Sequence, residues 1–269
     1  MKLRHTLSVL FIFAAGSLAA ALEFPPGQTT EFQVELPDSL RQIAGEGKLS
    51  AVTHAQISVA VPEGFTPGRA WPIVFVNATS DPEYRSSRRL ASHYTEAALA
   101  AGWVIVAADP VQDIEQEQDT PFLRYALVRA SWAALAAQWP GAARWPFALA
   151  GFSGGSKTSG YLAAMFALEG QIPIGVYQAG INQETVASSA KSFGVKDPAY
   201  TSVPVFLVSG TQDDISTPSD HRRVQRELRR AGFAHVKLET FRGAHVIALR
   251  PIRGALEWFQ EVSAAAAKK

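Results

Sequence analysis

The chain has 269 residues, of which 47% are hydrophobic and 18% are charged, and its formal net charge at neutral pH is +1. This balance is typical of a globular protein with one sizeable core, and the near-neutral charge argues against a nucleic-acid or anionic-membrane partner. The sequence contains no cysteine, which excludes disulfides, thiolate zinc sites and a cysteine nucleophile.

The N-terminus is predicted to be an export signal. Lys2 and Arg4 form a basic head, residues 7–15 are apolar but too few to span a bilayer, and Ala19 to Ala21 offer a small-residue cleavage site. We therefore expect residues 1–21 to be removed and the rest of the chain to be periplasmic or extracellular, without stable membrane association after cleavage. A buried N-terminal helix and a retained membrane anchor are the alternatives.

Apolar, β-rich runs alternate with helical segments from residue 54 onwards, which predicts an α/β fold with a mostly parallel sheet and helices on both faces. One domain is expected over residues 54–269, because no linker or internal repeat divides it. Residues 22–53 are expected to form an N-terminal extension or a first strand. The predicted strands are 55–61, 73–76, 103–108, 147–150, 174–177, 203–208 and 236–241.

Helices are predicted between these strands from apolar stripes and from end signals. A stripe over residues 90–101 predicts one helix that Gly102 ends. Thr217 followed by Pro218 predicts an N-cap with proline in the first turn. The acidic loop at 109–121 is expected to be a solvated connection, with a border of the functional cleft as the alternative. Two further helices are predicted around 184–193 and over 255–267.

The segment Gly151-Phe152-Ser153-Gly154-Gly155 matches the pattern G-x-S-x-G. A serine hydroxyl is a poor nucleophile at neutral pH, so it must be held exposed beside a base, and a sharp turn between a strand and a helix achieves this. The segment follows the predicted strand 147–150 and precedes a helix-like stretch. Ser153 is therefore the candidate nucleophile, and a glycine-rich structural turn is the alternative.

A candidate acid and a candidate base follow Ser153 in the chain. Asp213 and Asp214 lie in a polar loop after the strand 203–208, at the carboxyl end where sites in open α/β sheets are built. His245 follows the last predicted strand and completes the order Ser, Asp, His. Asp213 would orient the imidazole and stabilise its cationic form. Asp214 stays open as the alternative acid, and the other histidines are expected at surface or packing positions.

With these motifs, the sequence from about residue 55 to the C-terminus resembles the α/β-hydrolase superfamily. The opening at 57–65 and 71–76 is similar to that of secreted esterases such as polyhydroxyalkanoate depolymerases, feruloyl esterases and dienelactone hydrolases. Many relatives end the strand 73–76 with His-Gly, whereas this chain continues with Asn77-Ala78-Thr79. The resemblance implies an oxyanion hole formed by the backbone N–H groups of Thr79 and Gly154.

The resemblance and the motifs together predict a serine esterase without a separate lid domain. Its substrate would be a small-molecule or polymeric ester, and neither a metal nor an organic cofactor is expected. Two alternatives remain open: a catalytically silent hydrolase fold that serves as a binding module, and an acyltransferase or peptidase that uses the same three side chains.

Overall fold

The computed structural model describes residues 22–81 and 84–267, and a single sheet runs through this part of the chain with helices packed on both faces. The predicted α/β architecture is thereby confirmed. The predicted export signal, residues 1–21, lies outside the described residues. No helix in the described part of the chain is long and apolar enough to cross a membrane.

The sheet contains eight strands in the order β1-β2-β4-β3-β5-β6-β7-β8. β1 pairs antiparallel with β2, and β2 pairs antiparallel with β4, whereas all the other neighbouring strands are parallel. The strands are β1 Thr29–Glu35, β2 His54–Ala60, β3 Ile73–Asn77, β4 Val104–Pro110, β5 Phe147–Phe152, β6 Gly175–Ala179, β7 Val205–Gly210 and β8 Val236–Phe241.

Helices connect the parallel strands, as crossover connections in such sheets require. Short 3-10 helices at Gln116–Gln118, Pro140–Arg144 and Pro198–Ser202 complete the connections. The α-helices are α1 Asp38–Ala44, α2 Ser87–Ser92, α3 Thr95–Ala100, α4 Pro121–Gln138, α5 Gly154–Leu168, α6 Val186–Phe193, α7 Pro218–Arg230 and α8 Arg250–Ala266.

Two hydrophobic layers cover the two faces of the sheet. Alternate residues of one strand point to opposite faces, so Phe147 and Leu149 of β5 join one layer while Ala148 and Ala150 join the other. α1, α4, α5, α6 and α7 contribute to the first layer, and α2, α3 and α8 contribute to the second. The continuous apolar runs of the sequence therefore correspond to strands that are buried on both sides.

The predicted helix over 90–101 is wrong in one respect, because the structure divides it into α2 and α3. The hydroxyls of Ser92 and Thr95 donate hydrogen bonds to backbone carbonyls one turn earlier. Such bonds compete with regular helix geometry. Tyr94, between the two helices, is almost completely buried and anchors the break to the second hydrophobic layer.

The carboxyl ends of the parallel strands meet at one edge of the sheet, where open α/β sheets place their functional sites. The segments that leave this edge after β3, β5, β7 and β8 carry Thr79, Ser153, Asp213 and His245. The topology therefore collects the four predicted segments at the same edge.

Candidate active site

Ser153 occupies a strained turn between β5 and α5. Its φ of 54° and ψ of −120° lie in a sparsely populated region, which costs about 1–3 kcal/mol. Glu46 is the other non-glycine residue with positive φ in the described part of the chain. The N–H of Ser153 donates to the carbonyl of Ala179 at 2.8 Å, which fastens the turn to the end of β6. The side chain is thereby held at the sheet edge in the setting that the G-x-S-x-G pattern predicts.

The glycines around Ser153 allow backbone segments to approach very closely. A Cβ on Gly155 would lie 2.0 Å from the carbonyl oxygen of Asn77, and a Cβ on Gly154 would lie 2.3 Å from Oγ1 of Thr79. A larger residue at either position would push β3 and its following loop away from α5. The structure therefore brings Thr79 and Gly154, the two predicted oxyanion-hole residues, against each other.

The segment Asn77-Ala78-Thr79 takes an ordinary backbone conformation although it lacks the His-Gly pair of many relatives. Ala78 is not among the residues with positive φ, so its position does not require glycine. Its N–H donates to Oγ of Ser87 at 3.1 Å. Asn77 is buried, and its amide nitrogen donates to Oγ of Ser159 on α5 at 3.2 Å. Asn77 thus links β3 to α5, the helix that follows the turn of Ser153.

Asp213 and His245 form a hydrogen-bonded pair. Oδ2 of Asp213 lies 2.8 Å from Nδ1 of His245, and Oδ1 accepts from the N–H groups of Ile215 and Ser216 at 2.9 and 2.7 Å. Burial raises the pKa of the Asp213 carboxyl, but the Ser216 amide and the His245 imidazole outweigh it, and the net pKa lies below the ordinary 3.8. Asp213 therefore stays ionised at neutral pH and holds the N–H of His245 on Nδ1.

Main-chain contacts join the loops that carry these two side chains. The N–H of Thr211 donates to the carbonyl of Phe241, and the N–H of Gln212 donates to the carbonyl of Gly243, both at 2.8 Å. A Cβ on Gly210 would lie 2.4 Å from the carbonyl oxygen of Gly243. The absence of a side chain on Gly210 therefore permits the close approach that aligns Asp213 with His245.

The imidazole of His245 lies beside the turn that carries Ser153. Its ring centroid is 4.7 Å from that of Phe152, the residue immediately before Ser153. Gly180 lies between these rings, with a φ of 61°, and a Cβ there would be 2.8 Å from Cε1 of His245. In the described part of the chain, no hydrogen bond joins Ser153 to His245, whose ring nitrogen Nδ1 is bonded to Asp213. Catalytic hydrogen bonds are often long without substrate and shorten in the complex.

Two nearby residues, Asp214 and His221, are not placed for these roles. Asp214 is exposed to solvent, whereas its neighbour Asp213 is buried. His221 on α7 is fully buried, and both of its ring nitrogens are engaged: Nδ1 with the carbonyl of Thr217 and Nε2 with the N–H of Ile181, each at 3.1 Å. Burial lowers the pKa of His221 below its ordinary 6.5. His221 is thus a packing residue that supports the loop after β6.

The sequence did not reveal a buried ionic cluster that reaches the segment Asn77-Ala78-Thr79 through Ser87. The expectation that the acidic loop is solvated is wrong for two of its carboxylates, because Asp109 and Asp119 are buried and pair with Arg124 of α4. Burial lowers the pKa of the Arg124 guanidinium, but its bonds with Asp119 and Asp109 raise it above the ordinary value. The one sign of this cluster in the sequence is a single arginine, Arg124, within the otherwise apolar stretch 121–128.

Exposed apolar side chains follow Asp213 and His245 closely in the chain. Ile215 and Val246 are 61% and 52% exposed, and they lie two residues after Asp213 and one residue after His245. Leu249, at the entry to α8, is 55% exposed. Between β6 and β7 the chain forms only α6 and one short 3-10 helix, so no separate lid domain covers this edge. No cluster of three or more potential metal ligands occurs in the described residues.

Solved structures similar to this chain were found, although no protein-family model and no curated protein sequence matches it. An α/β serine hydrolase without a lid from Xanthomonas campestris is 16% identical, covering 89% of this chain and 97% of its own, with a TM-score of 0.59. A dienelactone hydrolase from Anabaena variabilis is 16% identical, covering 87% of this chain and 98% of its own, with a TM-score of 0.56.

A thermostable carboxyl esterase from Bacillus coagulans is 15% identical, covering 89% of this chain and 98% of its own, with a TM-score of 0.55. At such low identities the similarity concerns the fold. Together with the strand order, it shows that the chain has the α/β-hydrolase fold, as the sequence predicted. The chemistry must be argued from the side chains themselves.

Proposed function

We propose that the protein is a serine hydrolase that cleaves carboxylic esters through an acyl-enzyme on Ser153. The observation that carries the proposal is the hydrogen bond between Asp213 and His245, formed beside the strained turn that presents Ser153. A strained serine, a histidine and a buried carboxylate that meet at one sheet edge form the arrangement used for acyl transfer on several unrelated folds.

The mechanism follows from the roles of the three side chains. The N–H on Nδ1 of His245 donates a hydrogen bond to Asp213, so the lone pair on Nε2 can accept the proton of the Ser153 hydroxyl. The serine oxygen attacks the ester carbonyl, and the alcohol leaves with the proton that His245 returns. Water then attacks the acyl-enzyme, again with His245 as base, and releases the acid.

The negative oxygen of each tetrahedral intermediate is bound by the N–H groups of Thr79 and Gly154 in this proposal. Gly154 is the first residue of α5, and the first N–H groups of a helix have no partner within the helix. The positive end of the helix dipole adds to the stabilisation of an oxyanion at this point. The close contact between Gly154 and Thr79 supports their joint action.

An active enzyme is a better explanation of the strain at Ser153 than a silent binding module. A binding protein gains nothing from a serine held in a costly backbone conformation next to an ionised Asp–His pair. Esters are the proposed class because no lid domain is inserted between β6 and β7, and because apolar side chains, Ile215 and Val246, are exposed close to Asp213 and His245 in the chain. Transfer to an alcohol or amine and peptide cleavage are outcomes that the assay below distinguishes.

The direct test is turnover of a panel of aryl esters, thioesters and anilides by the purified protein and by Ser153→Ala. We expect ester hydrolysis in the wild type and a loss of about a millionfold in the variant, as for removal of other triad nucleophiles. The exposed Ser202→Ala serves as a matched control and should retain full activity. Unchanged ester turnover in folded Ser153→Ala would refute the proposal, and preferred release of anilides or acyl transfer to added alcohol would change the reaction class.

We also propose that the protein acts outside the cytoplasm after removal of residues 1–21. The basic head, the short apolar run and the small residues before Leu22 support this proposal. N-terminal sequencing of the exported protein should begin at Leu22. Recovery of an intact Met1 in the mature fraction would refute it.

A further inference from the structure

Arg124 of α4 is only 3% exposed, and all three nitrogens of its guanidinium donate hydrogen bonds. Nε and Nη2 donate to the two carboxylate oxygens of Asp119, each at 2.6 Å, in a bidentate pair. Nη1 donates to Oδ1 of Asp109 at 3.1 Å and to Oγ of Ser87 at 2.9 Å. Nη2 also donates to the carbonyl of Arg85.

Ser87 connects this cluster to the proposed oxyanion hole. Its Oγ accepts the N–H of Ala78, the residue immediately before Thr79, while it also accepts the Nη1 hydrogen of Arg124. Its own N–H donates to Oδ1 of Asp109 at 2.7 Å. The Ser87 hydroxyl therefore connects Arg124 to the 77–78 peptide, which lies immediately before the peptide that carries the Thr79 N–H.

Stability alone does not account for a buried cluster of this kind. The desolvation cost of buried ion pairs often cancels their Coulombic gain, so well-packed apolar residues could serve equally well for the core. A planar guanidinium with five fixed donors does, however, define the positions of its partners more sharply than apolar packing. What it positions here is the first turn of α2 and, through Ser87, the 77–78 peptide, which lies immediately before the peptide that carries the Thr79 N–H.

We propose that Arg124 is a positioning residue for the oxyanion hole, which it aligns through Ser87 and the N–H of Ala78. The inference rests on the proposed function, because an oxyanion hole has a purpose only if Ser153 forms tetrahedral intermediates. Arg124 and Ser87 touch no reacting atom. They fix the orientation of the Thr79 N–H, and a misdirected donor loses its effect on the transition state while ground-state binding of substrate persists.

The test is steady-state kinetics of Ser87→Ala and Arg124→Lys, with kcat expressed per active site titrated by the acylation burst. We expect kcat to fall by about 10-fold to 100-fold in both variants, with KM within about twofold, because the loss concerns the transition state alone. The affinity for phenylboronic acid, whose serine adduct mimics the tetrahedral intermediate, should fall by the same factor. Two matched controls should leave all three quantities unchanged: Ser131→Ala, a buried serine of α4, and Arg129→Lys, an arginine of α4 paired with Glu169.

Hydrogen exchange, followed by mass spectrometry, tests the anchoring independently of catalysis. Residues 77–80 should exchange faster in Ser87→Ala than in the wild type, whereas residues 243–248 should be unaffected. Unchanged kcat per titrated site, or unchanged exchange at 77–80, would overturn the inference while leaving the proposed function intact. Ester turnover that survives in Ser153→Ala would refute the proposed function instead. Should Arg124→Lys fail to fold, Ser87→Ala decides alone.

Discussion

Asp213 and Asp214 are neighbours in the chain, but their carboxylates have different surroundings. Asp213 is buried and bonds His245 together with two backbone N–H groups, whereas Asp214 faces solvent. We predict that Asp213→Asn lowers kcat about ten-thousandfold, because an amide neither fixes the required tautomer of the His245 imidazole nor stabilises its positive charge. Asp214→Asn should change kcat by less than about tenfold, equivalent to about 1.4 kcal/mol.

The two variants serve as each other's control, since each replaces one carboxylate by one amide in the same loop. Their rates should be compared after circular dichroism has shown both to be folded. If Asp214→Asn had the larger effect, the role of the acid would pass to Asp214.

His221 gives the protein a predicted dependence of stability on pH. Burial lowers its pKa below the ordinary 6.5, so the unfolded chain binds a proton more readily than the folded protein. The contribution of His221 to stability is therefore present above about pH 6.5 and is lost as the pH falls through the lower pKa of the folded state.

Urea unfolding at pH 7.5 and pH 5.5 measures this effect. The free energy of unfolding should fall between the two pH values by less in His221→Gln than in the wild type, because the variant lacks the buried titrating group. The exposed His93→Gln should behave as the wild type does. An identical fall in His221→Gln and the wild type would contradict the assignment.

At the scale of the elements, the turn after β6 is a spacer between the serine and histidine loops. Gly180 has a positive φ, and a Cβ would lie 2.8 Å from His245 and 2.9 Å from the ring of Phe152. Gly194, after α6, has a similar φ of 78° but open space around it. We predict that both Gly180→Ala and Gly194→Ala lose about 1–2 kcal/mol of stability from the backbone conformation.

Only Gly180→Ala should lose activity, with kcat reduced on the order of 100-fold, because the displaced imidazole no longer faces Ser153 correctly. Thermal unfolding and ester turnover of the two variants measure the two effects separately. Full turnover in Gly180→Ala would show that this turn does not set the position of His245.

The strands were well predicted from the sequence, whereas two helices were not. Most residues of the central strands β3 to β7 are apolar and buried on both faces of the sheet, so these runs stand out from the polar turns around them. α4 has buried residues around most of its circumference, so it lacks the one-sided stripe by which a helix is recognised. α1 is only seven residues long and has one buried leucine, too short a pattern for detection.

At the scale of the whole molecule, the sequence predicts those parts of the candidate site that a local pattern of residues marks. Ser153, Asp213 and His245 each lie shortly after a strand, and parallel strands bring their carboxyl ends together. The cluster around Arg124 could not be predicted in this way, because Ser87, Asp109 and Arg124 come from three separate elements. Their contacts depend on tertiary packing that no local spacing records.

The most direct test of the central claim is covalent labelling with a fluorophosphonate, followed by mass spectrometric mapping of the modified residue. A fluorophosphonate reacts with a serine that an adjacent base activates, so it reports the nucleophile without knowledge of the natural substrate. We predict one adduct per chain, located on Ser153, and strongly slowed labelling in His245→Ala. A folded wild-type protein that stays unlabelled, or an adduct on a different serine, would contradict the account.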